Sequence, residues 1–290
     1  MKTGWLIRNA FFHTQRLQEQ YDMLVQAFAL RDIKLQVRTN AELCGVLGQA
    51  IENKPDFVLS WDKDICLLRR LEDAQVRVFN SSQATLFADD KAYMYTAFAR
   101  YGVPMPRTVL APMTYSNIGY PQDDAFLCRA EQEFGYPMVV KHACSSYGMG
   151  VYLVHDRQEL MERLQSASGN VLMQQFVAAA SGRDTRVYVV GDTCVCAVTR
   201  YNPDDFRSNI LAGGTMTPAQ ATPAMQAAAV AACRAVGADF GGVDLLTDEN
   251  GQVLVCEINT SAHFGTIYHT TGINVADAIA SYIEGQIYGM

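Results

Sequence analysis

Asp244, Glu257 and Asn259 lie in two apolar runs, 242–247 and 252–259, that flank the dipeptide Asn250-Gly251. Asn-Gly is the preferred pair for a two-residue hairpin turn, and such a turn sets which residues face each other. The expected register puts Asp244 opposite Glu257, with Asn259 two residues further on and on the same face. Two carboxylates and an amide oxygen on one patch of sheet suit magnesium, which takes oxygen ligands, keeps several waters and shares substrate phosphates. The competing reading is a solvated pair of acids, and the flanking Val243, Leu245, Cys256 and Ile258 speak against it.

A second chemical signal is Ser145-Ser146-Tyr147-Gly148-Met149-Gly150, just after an apolar stretch that ends in Lys141. Amides and hydroxyls of such a loop can cradle phosphate while the ammonium neutralises it. The run is neither a Walker loop nor a dinucleotide fingerprint, and a plain hairpin turn competes with the phosphate reading. Further cations, Lys91, Arg186, Arg200 and Arg207, stand at or beside the ends of expected elements. A carboxylate that attacks a phosphate brings two anions together, so cations that hold both are a physical requirement. His142 and Cys144 lack a third, orienting group for nucleophilic catalysis, and the other histidines lack zinc-ligand spacing.

These residues need a scaffold of alternating elements. Strands expected at 4–9, 33–39, 56–61 and 76–80, with a helix at 18–30, make an α/β lobe with a parallel sheet over residues 1–88. Asp89 and Asp90 precede a helix at 91–101, which Gly102 ends and Pro104 and Pro106 keep from resuming. Residues 107–125 read as a connector, followed by strands at 138–142 and 151–155 around the Ser/Gly loop. Strands at 186–190 and 194–200 meet across Gly191-Asp192, an alanine-rich helix runs from Pro223 towards Gly237, and Asn274 caps a closing helix. The section 89–290 thus divides into a central lobe at about 107–175 and a C-terminal lobe at about 176–290.

A chain of 290 residues with 49% hydrophobic residues buries more than one core. Its net charge of −7, without a Lys/Arg run, excludes nucleic acid and membrane surface as partners. No apolar run reaches the roughly 18 residues of a membrane span. The eight cysteines form no Cys-x-x-Cys pair, which points to thiols in a reducing cytoplasm.

Taken together, Asp90-Lys91, the 136–141 strand, the 145–150 loop, Gln174-Gln175-Phe176-Val177, Gly182-Arg183-Asp184-Thr185-Arg186, Gly241 to Asp244 and Glu257 to Asn259 resemble the ATP-grasp superfamily. Asp205-Phe206-Arg207-Ser208-Asn209, Gly213-Gly214 and Thr270-Thr271-Gly272-Ile273 resemble its ribosomal-protein glutamate ligase branch, the RimK-like enzymes. The resemblance runs from about residue 85 to the end, and it implies an ATP-grasp fold of two α+β lobes behind a small pre-ATP-grasp domain.

It further implies an ATP-dependent carboxylate–amine ligase, working through an acyl phosphate and adding an amino acid such as glutamate to a small molecule or peptide. Lys91 and Lys141, with Ser145, Ser146, Gly148 and Gly150, would hold the nucleotide phosphates, and Gln174, Gln175, Phe176 and Val177 the adenine. Asp184 would sit near the ribose. Arg207 and Asn209, assisted by Arg186 and Arg200, would serve the phosphate and acyl end, and Asp244, Glu257 and Asn259 would hold one or two magnesium ions, or manganese. The resemblance also implies a homo-oligomer, with small-molecule or peptide carboxylate and amine substrates as partners. The sequence departs from the family at Gln175, where Glu is frequent, and at Thr260 to Gly265, where a Pro-Gly step is usual. A glutathione-synthetase-like ligase, a carboxylate–thiol ligase and a non-catalytic ATP-binding regulatory protein stay open as alternatives.

Overall fold

The computed structural model describes the chain apart from residues 116, 121–123, 146–147, 166–168, 209–212 and 290. Its first sheet has the order β2-β1-β3-β4, with β1 (Thr3–Arg8), β2 (Lys34–Thr39), β3 (Phe57–Ser60) and β4 (Arg77–Phe79) all parallel. Helix α1 (Gln15–Ala29) turns Tyr21, Leu24 and Phe28 inward, the spacing expected of a helix covering one sheet face. Helices α2 (Ile65–Asp73) and α3 (Ser82–Asp89) complete this lobe.

Helix α4 (Lys91–Tyr101) begins where Asp90 Oδ1 accepts from the amides of Ala92 and Tyr93, at 2.8 and 3.2 Å. It ends at Gly102, whose φ of 67° gives the left-handed cap. The second sheet, β5-β8-β6-β7, is antiparallel: β5 (Thr108–Leu110), β6 (Met138–His142), β7 (Val151–Val154) and β8 (Val171–Gln175). Helices α5 (Ala125–Phe134) and α6 (Arg157–Gln165) cover it. The stretch expected as a connector therefore contains a short edge strand, and α5 starts at its end. Three residues of strand carry too little periodicity to be seen among the Pro and Gly residues around them.

The third sheet, β11-β10-β9-β12-β13, contains β9 (Arg183–Val190), β10 (Thr193–Tyr201), β11 (Thr215–Ala219), β12 (Phe240–Thr247) and β13 (Val253–Asn259). One of its faces, with Val187, Val189, Val243 and Val255, packs on the alanine-rich helix α7 (Pro223–Val236) and on α4. On the other face Tyr188, Val190 and Phe240 share a core with Leu24, Phe28 and Phe57 of the first lobe, closed by α8 (Gly265–Thr271) and α9 (Val275–Tyr288). Buried Asn80 joins the two lobes: its amide donates to the carbonyls of Phe240 and Thr260, and its oxygen accepts from the amides of Asp239 and Phe240. No helix among the described residues is long and apolar enough to cross a membrane.

The β12–β13 hairpin corrects one expectation. Thr247 pairs with Val253, one residue out of the register of a two-residue turn, and the loop is three residues with Gly251 at a φ of 78°. A bulge at Cys256 then restores the pairing of Asp244 with Glu257.

Candidate active site

The second and third sheets flank an open cleft, with α4 and the end of α3 at one end. On the third sheet a charged row runs beside it, of which Asp184, Arg200, Asp244 and Glu257 line the cleft, whereas Arg186 stands behind Asp244 and is not on the cleft wall. Arg200 stands opposite Asp184 across β10–β9, and Arg186 stands opposite Asp244 across β9–β12, which in turn faces Glu257. Alternation of side chains puts Arg186 and Tyr188 on one face, so the row lies beside the core shared with the first lobe.

The arginines are clamped onto the acids. Arg186 donates from Nε to Asp244 Oδ1 at 2.6 Å and from Nη2 to Oδ2 at 2.8 Å, and Arg200 Nη2 donates to Asp244 Oδ2 at 2.7 Å. Burial works to raise the Asp244 pKa, but the two guanidinium groups outweigh it and hold the carboxyl well below the usual carboxylate range. Asp184 receives Arg200 Nε at 2.7 Å, a second guanidinium N–H and the Ser208 hydroxyl. With one shared arginine against its burial, and Asp244 close by, its pKa is raised.

Glu257 is engaged differently: Asn259 Nδ2 donates to its Oε1 at 3.1 Å. Among the described residues no group of three or more His, Cys, Asp or Glu side chains is gathered for a metal. The oxygen groups there that could take an oxygen-seeking ion, together with phosphate oxygens and water, are the Glu257 carboxylate and the Asn259 amide oxygen, while Asp244 is held by its two arginines.

Two lysines face this row from the other side. Lys91, the first residue of α4 and 5% exposed, donates from Nζ to Ser145 O at 2.7 Å and to Ser145 Oγ at 3.3 Å. Its ammonium pKa is pushed down by burial, an effect that Glu257 opposes and Lys141 reinforces. Lys141, 6% exposed, reaches Cys256 Sγ at 3.7 Å and stands 5.6 Å from the centre of the Tyr95 ring. The bulge at Cys256 is what turns that thiol into the cleft, and burial raises both its pKa and that of Tyr95.

Gln174 to Val177 line the far end. Gln174 Nε2 donates to Thr108 Oγ1 at 2.8 Å, the Gln175 amide donates to Arg107 O at 2.9 Å, and the Phe176 ring lies edge-on to Phe206 at 6.3 Å. Arg207 donates to Gly148 O at 2.7 Å and is braced by Asp205, which ties the glycine-rich loop to the third sheet's loop. Gly150 is not on the cleft wall; its carbonyl accepts from the His142 amide at 2.8 Å. Ser146 and Asn209 lie outside the described residues. Sequence reasoning missed Lys63, Val139, Phe206 and Leu246, all of which line the cleft. Val139 and Leu246 look like any strand residue in sequence, and Lys63 belongs to a different lobe.

The profile of the RimK-like ATP-grasp domain matches residues 88–283. The chain is 35% identical over 297 residues to probable alpha-L-glutamate ligase 1 of Hahella chejuensis, covering 98% of this chain and 95% of that one. It is 31% identical over 258 residues to beta-citrylglutamate synthase B of Danio rerio, covering 88% of this chain and 62% of the other. The fold matches that of the ATP-grasp ligase PsnB, solved with a phosphomimetic variant of its minimal precursor, Mg and ADP, at a TM-score of 0.69 and 18% identity over 99% of each chain. With the cleft between two sheets and its facing lysines and acids, these matches show that the chain belongs to the RimK-like ATP-grasp family and is an ATP-grasp ligase.

Proposed function

We propose that the chain is an ATP-dependent carboxylate–amine ligase that forms an amide bond through an acyl phosphate. The observation that carries this reading is the placement of buried Lys91 and Lys141 across one cleft from Glu257, Asn259 and the arginine-bound Asp244. A substrate carboxylate oxygen attacks the γ-phosphorus of ATP, and the bond to the bridging oxygen breaks, so that ADP leaves with the electron pair. An amine then attacks the acyl carbon, phosphate departs with the electrons of the C–O bond, and the amine loses a proton to solvent. No covalent enzyme nucleophile takes part.

The central lobe, 107–175, and the C-terminal lobe, 176–290, are the two jaws, and 1–88 is the pre-ATP-grasp domain. Adenine lies between Val139 and Leu246, held by the backbone of Gln174, Gln175, Phe176 and Val177. Lys91 and Lys141 bind phosphate oxygens, for which Lys91 gives up the Ser145 carbonyl. Ser145 and Gly148 stay close to those phosphates on the loop that Arg207 holds. Glu257 and Asn259 would hold one or two magnesium ions, and Asp244 would be a further oxygen ligand if anionic substrates drew its arginines away. When bound, magnesium supplies positive charge where the transferring phosphoryl group spreads its own. Asp184, with both oxygens engaged, positions Arg200 and leaves the ribose to other groups.

The Hahella and Danio relatives suggest the addition of an amino acid such as glutamate to a small molecule or peptide. Eight unpaired cysteines fit a reducing compartment, the cytoplasm. The test is an ADP-release screen of the purified protein with ATP and magnesium against pooled amino acids, small carboxylates and short peptides, followed by mass analysis of active pools. A condensed product formed with equimolar ADP supports the reading. ADP formed without any condensed product counts against it.

A further inference from the structure

Among the described residues lining the cleft, one from the first lobe's sheet region reaches the phosphate end: Lys63. It lies three residues beyond the end of β3, and the backbone around it is pinned on both sides. The Trp61 amide donates to Ile7 O at 2.9 Å, and Ser60 Oγ donates to Asp62 O at 2.9 Å. Asp62 accepts from Asn9 Nδ2 at 3.2 and 3.3 Å, and Asp64 caps α2 by accepting from the Leu67 amide at 3.1 Å.

This position follows from the topology. The sheet order β2-β1-β3-β4 reverses direction between β1 and β3, and open α/β sheets take their ligands beyond the carboxyl ends of the strands at that reversal. The loops after β1 and β3 meet there through Asn9 and Asp62, and Lys63 projects from this junction into the nucleotide cleft. Its ammonium is paired with Asp89, the last residue of α3, two residues before Lys91. The Lys63 side chain is 41% exposed and Asp89 is 30% exposed, so the pair contributes little to folding stability and is easily rearranged. The charge of Lys63 is felt at Lys91, where it adds to the effects that lower that ammonium's pKa after burial. Three lysines from three parts of the chain thus converge on one end of the cleft: Lys63 from the first lobe, Lys91 from α4 and Lys141 from β6.

We propose that Lys63 is a third phosphate-end cation, contributed by the first lobe, that binds the γ-phosphate of ATP and holds the phosphoryl group while it passes to the substrate carboxylate. This rests on the reading of the chain as an ATP-dependent ligase. An ammonium has three donors, so Lys63 can keep Asp89 as a guide while it meets a phosphate oxygen. From the border of the nucleotide cleft and the first lobe its ammonium would offset the repulsion between the substrate carboxylate and the γ-phosphate, both anionic.

The experiment is calorimetric binding of AMPPNP and of ADP, each with magnesium, to the wild type, Lys63→Met and Lys63→Arg, with circular dichroism to follow the fold. Only AMPPNP offers a γ-phosphate. Lys63→Met is expected to lose about tenfold in AMPPNP affinity while ADP changes by less than about twofold, and Lys63→Arg to stay within about threefold of wild type for both. Equal loss for both nucleotides, or no loss for either, in Lys63→Met overturns the assignment and leaves the ligase reading standing. A wild type that binds neither nucleotide overturns both.

Discussion

Asp244 stands directly opposite Glu257 in the β12–β13 ladder, yet the two carboxylates are engaged in opposite ways. Asp244 is enclosed by Arg186 and Arg200, whereas Glu257 receives the side-chain amide of Asn259. One acid is an electrostatic anchor for two cations, and its neighbour keeps oxygen lone pairs for a ligand. The pairing depends on Cys256 being bulged out of the ladder, because without that extra residue Glu257 would move out of line with Asp244.

Asp244→Asn strands two guanidiniums beside a buried neutral amide, and breaking a buried pair from one side is costly. The variant is expected to lose about 3 kcal/mol of stability in chemical denaturation. The pH dependence has a definite sign. The folded pKa of Asp244 lies below its ordinary value of 3.8, so its contribution is complete above that value and is lost as pH falls through the depressed one. The stability gap between wild type and variant should therefore narrow in strong acid, and a constant gap down to that range would contradict the pairing.

Lys91 carries a pKa displaced in the other chemical sense: burial lowers it from the ordinary lysine value of 10.5. The free protein loses this charge as pH rises through the lowered value, and with it one contact to phosphate. Affinity for AMPPNP with magnesium should decline with rising pH before the ordinary lysine range is reached, and Lys91→Met should remove that part of the decline. An affinity equally pH-independent in both proteins up to the ordinary lysine range would show that Lys91 does not meet the nucleotide.

Gly182 holds the loop that carries Arg207. Its φ is +68°, its amide donates to Phe206 O at 2.8 Å, and an added Cβ would lie 2.2 Å from Asn202 O and 2.9 Å from Asp205 O. Backbone cannot yield as a flexible side chain can, so Gly182→Ala pushes residues 202–208 away and breaks the contact of Arg207 with Gly148. The expected cost is about 2 kcal/mol in stability. ADP formation should fall by about tenfold or more. A variant with wild-type melting and wild-type turnover would show that this loop is not held as described.

Much of the candidate cleft lining is legible in the sequence because its residues sit at element ends with clear punctuation. Asp90 caps a helix whose first residue is Lys91, and Gly191-Asp192 forms the two-residue turn between β9 and β10. The Asp244–Glu257 pairing follows from a two-residue turn only because two one-residue offsets cancel, the three-residue turn and the bulge, neither of which marks the period of Val253 to Cys256. Arg186 and Arg200 were visible as cations but not as partners of Asp244 and Asp184. That opposition is set by how β9 lies between β10 and β12, and Arg186 and Asp244 are 58 residues apart. Lys63 follows Trp61-Asp62 in no recognisable motif, and only the docking of the first lobe brings it to Lys91.

The most direct test of the central claim is the yield of ADP and of condensed product by wild type and Glu257→Gln, with ATP, magnesium and the substrates identified by the screen. Wild type should form ADP and product one for one, and Glu257→Gln, folded and equally stable, should form both at least about 100-fold more slowly. A Glu257→Gln enzyme that turns over at the wild-type rate would contradict the assignment of this cleft as the place where the phosphoryl group is transferred.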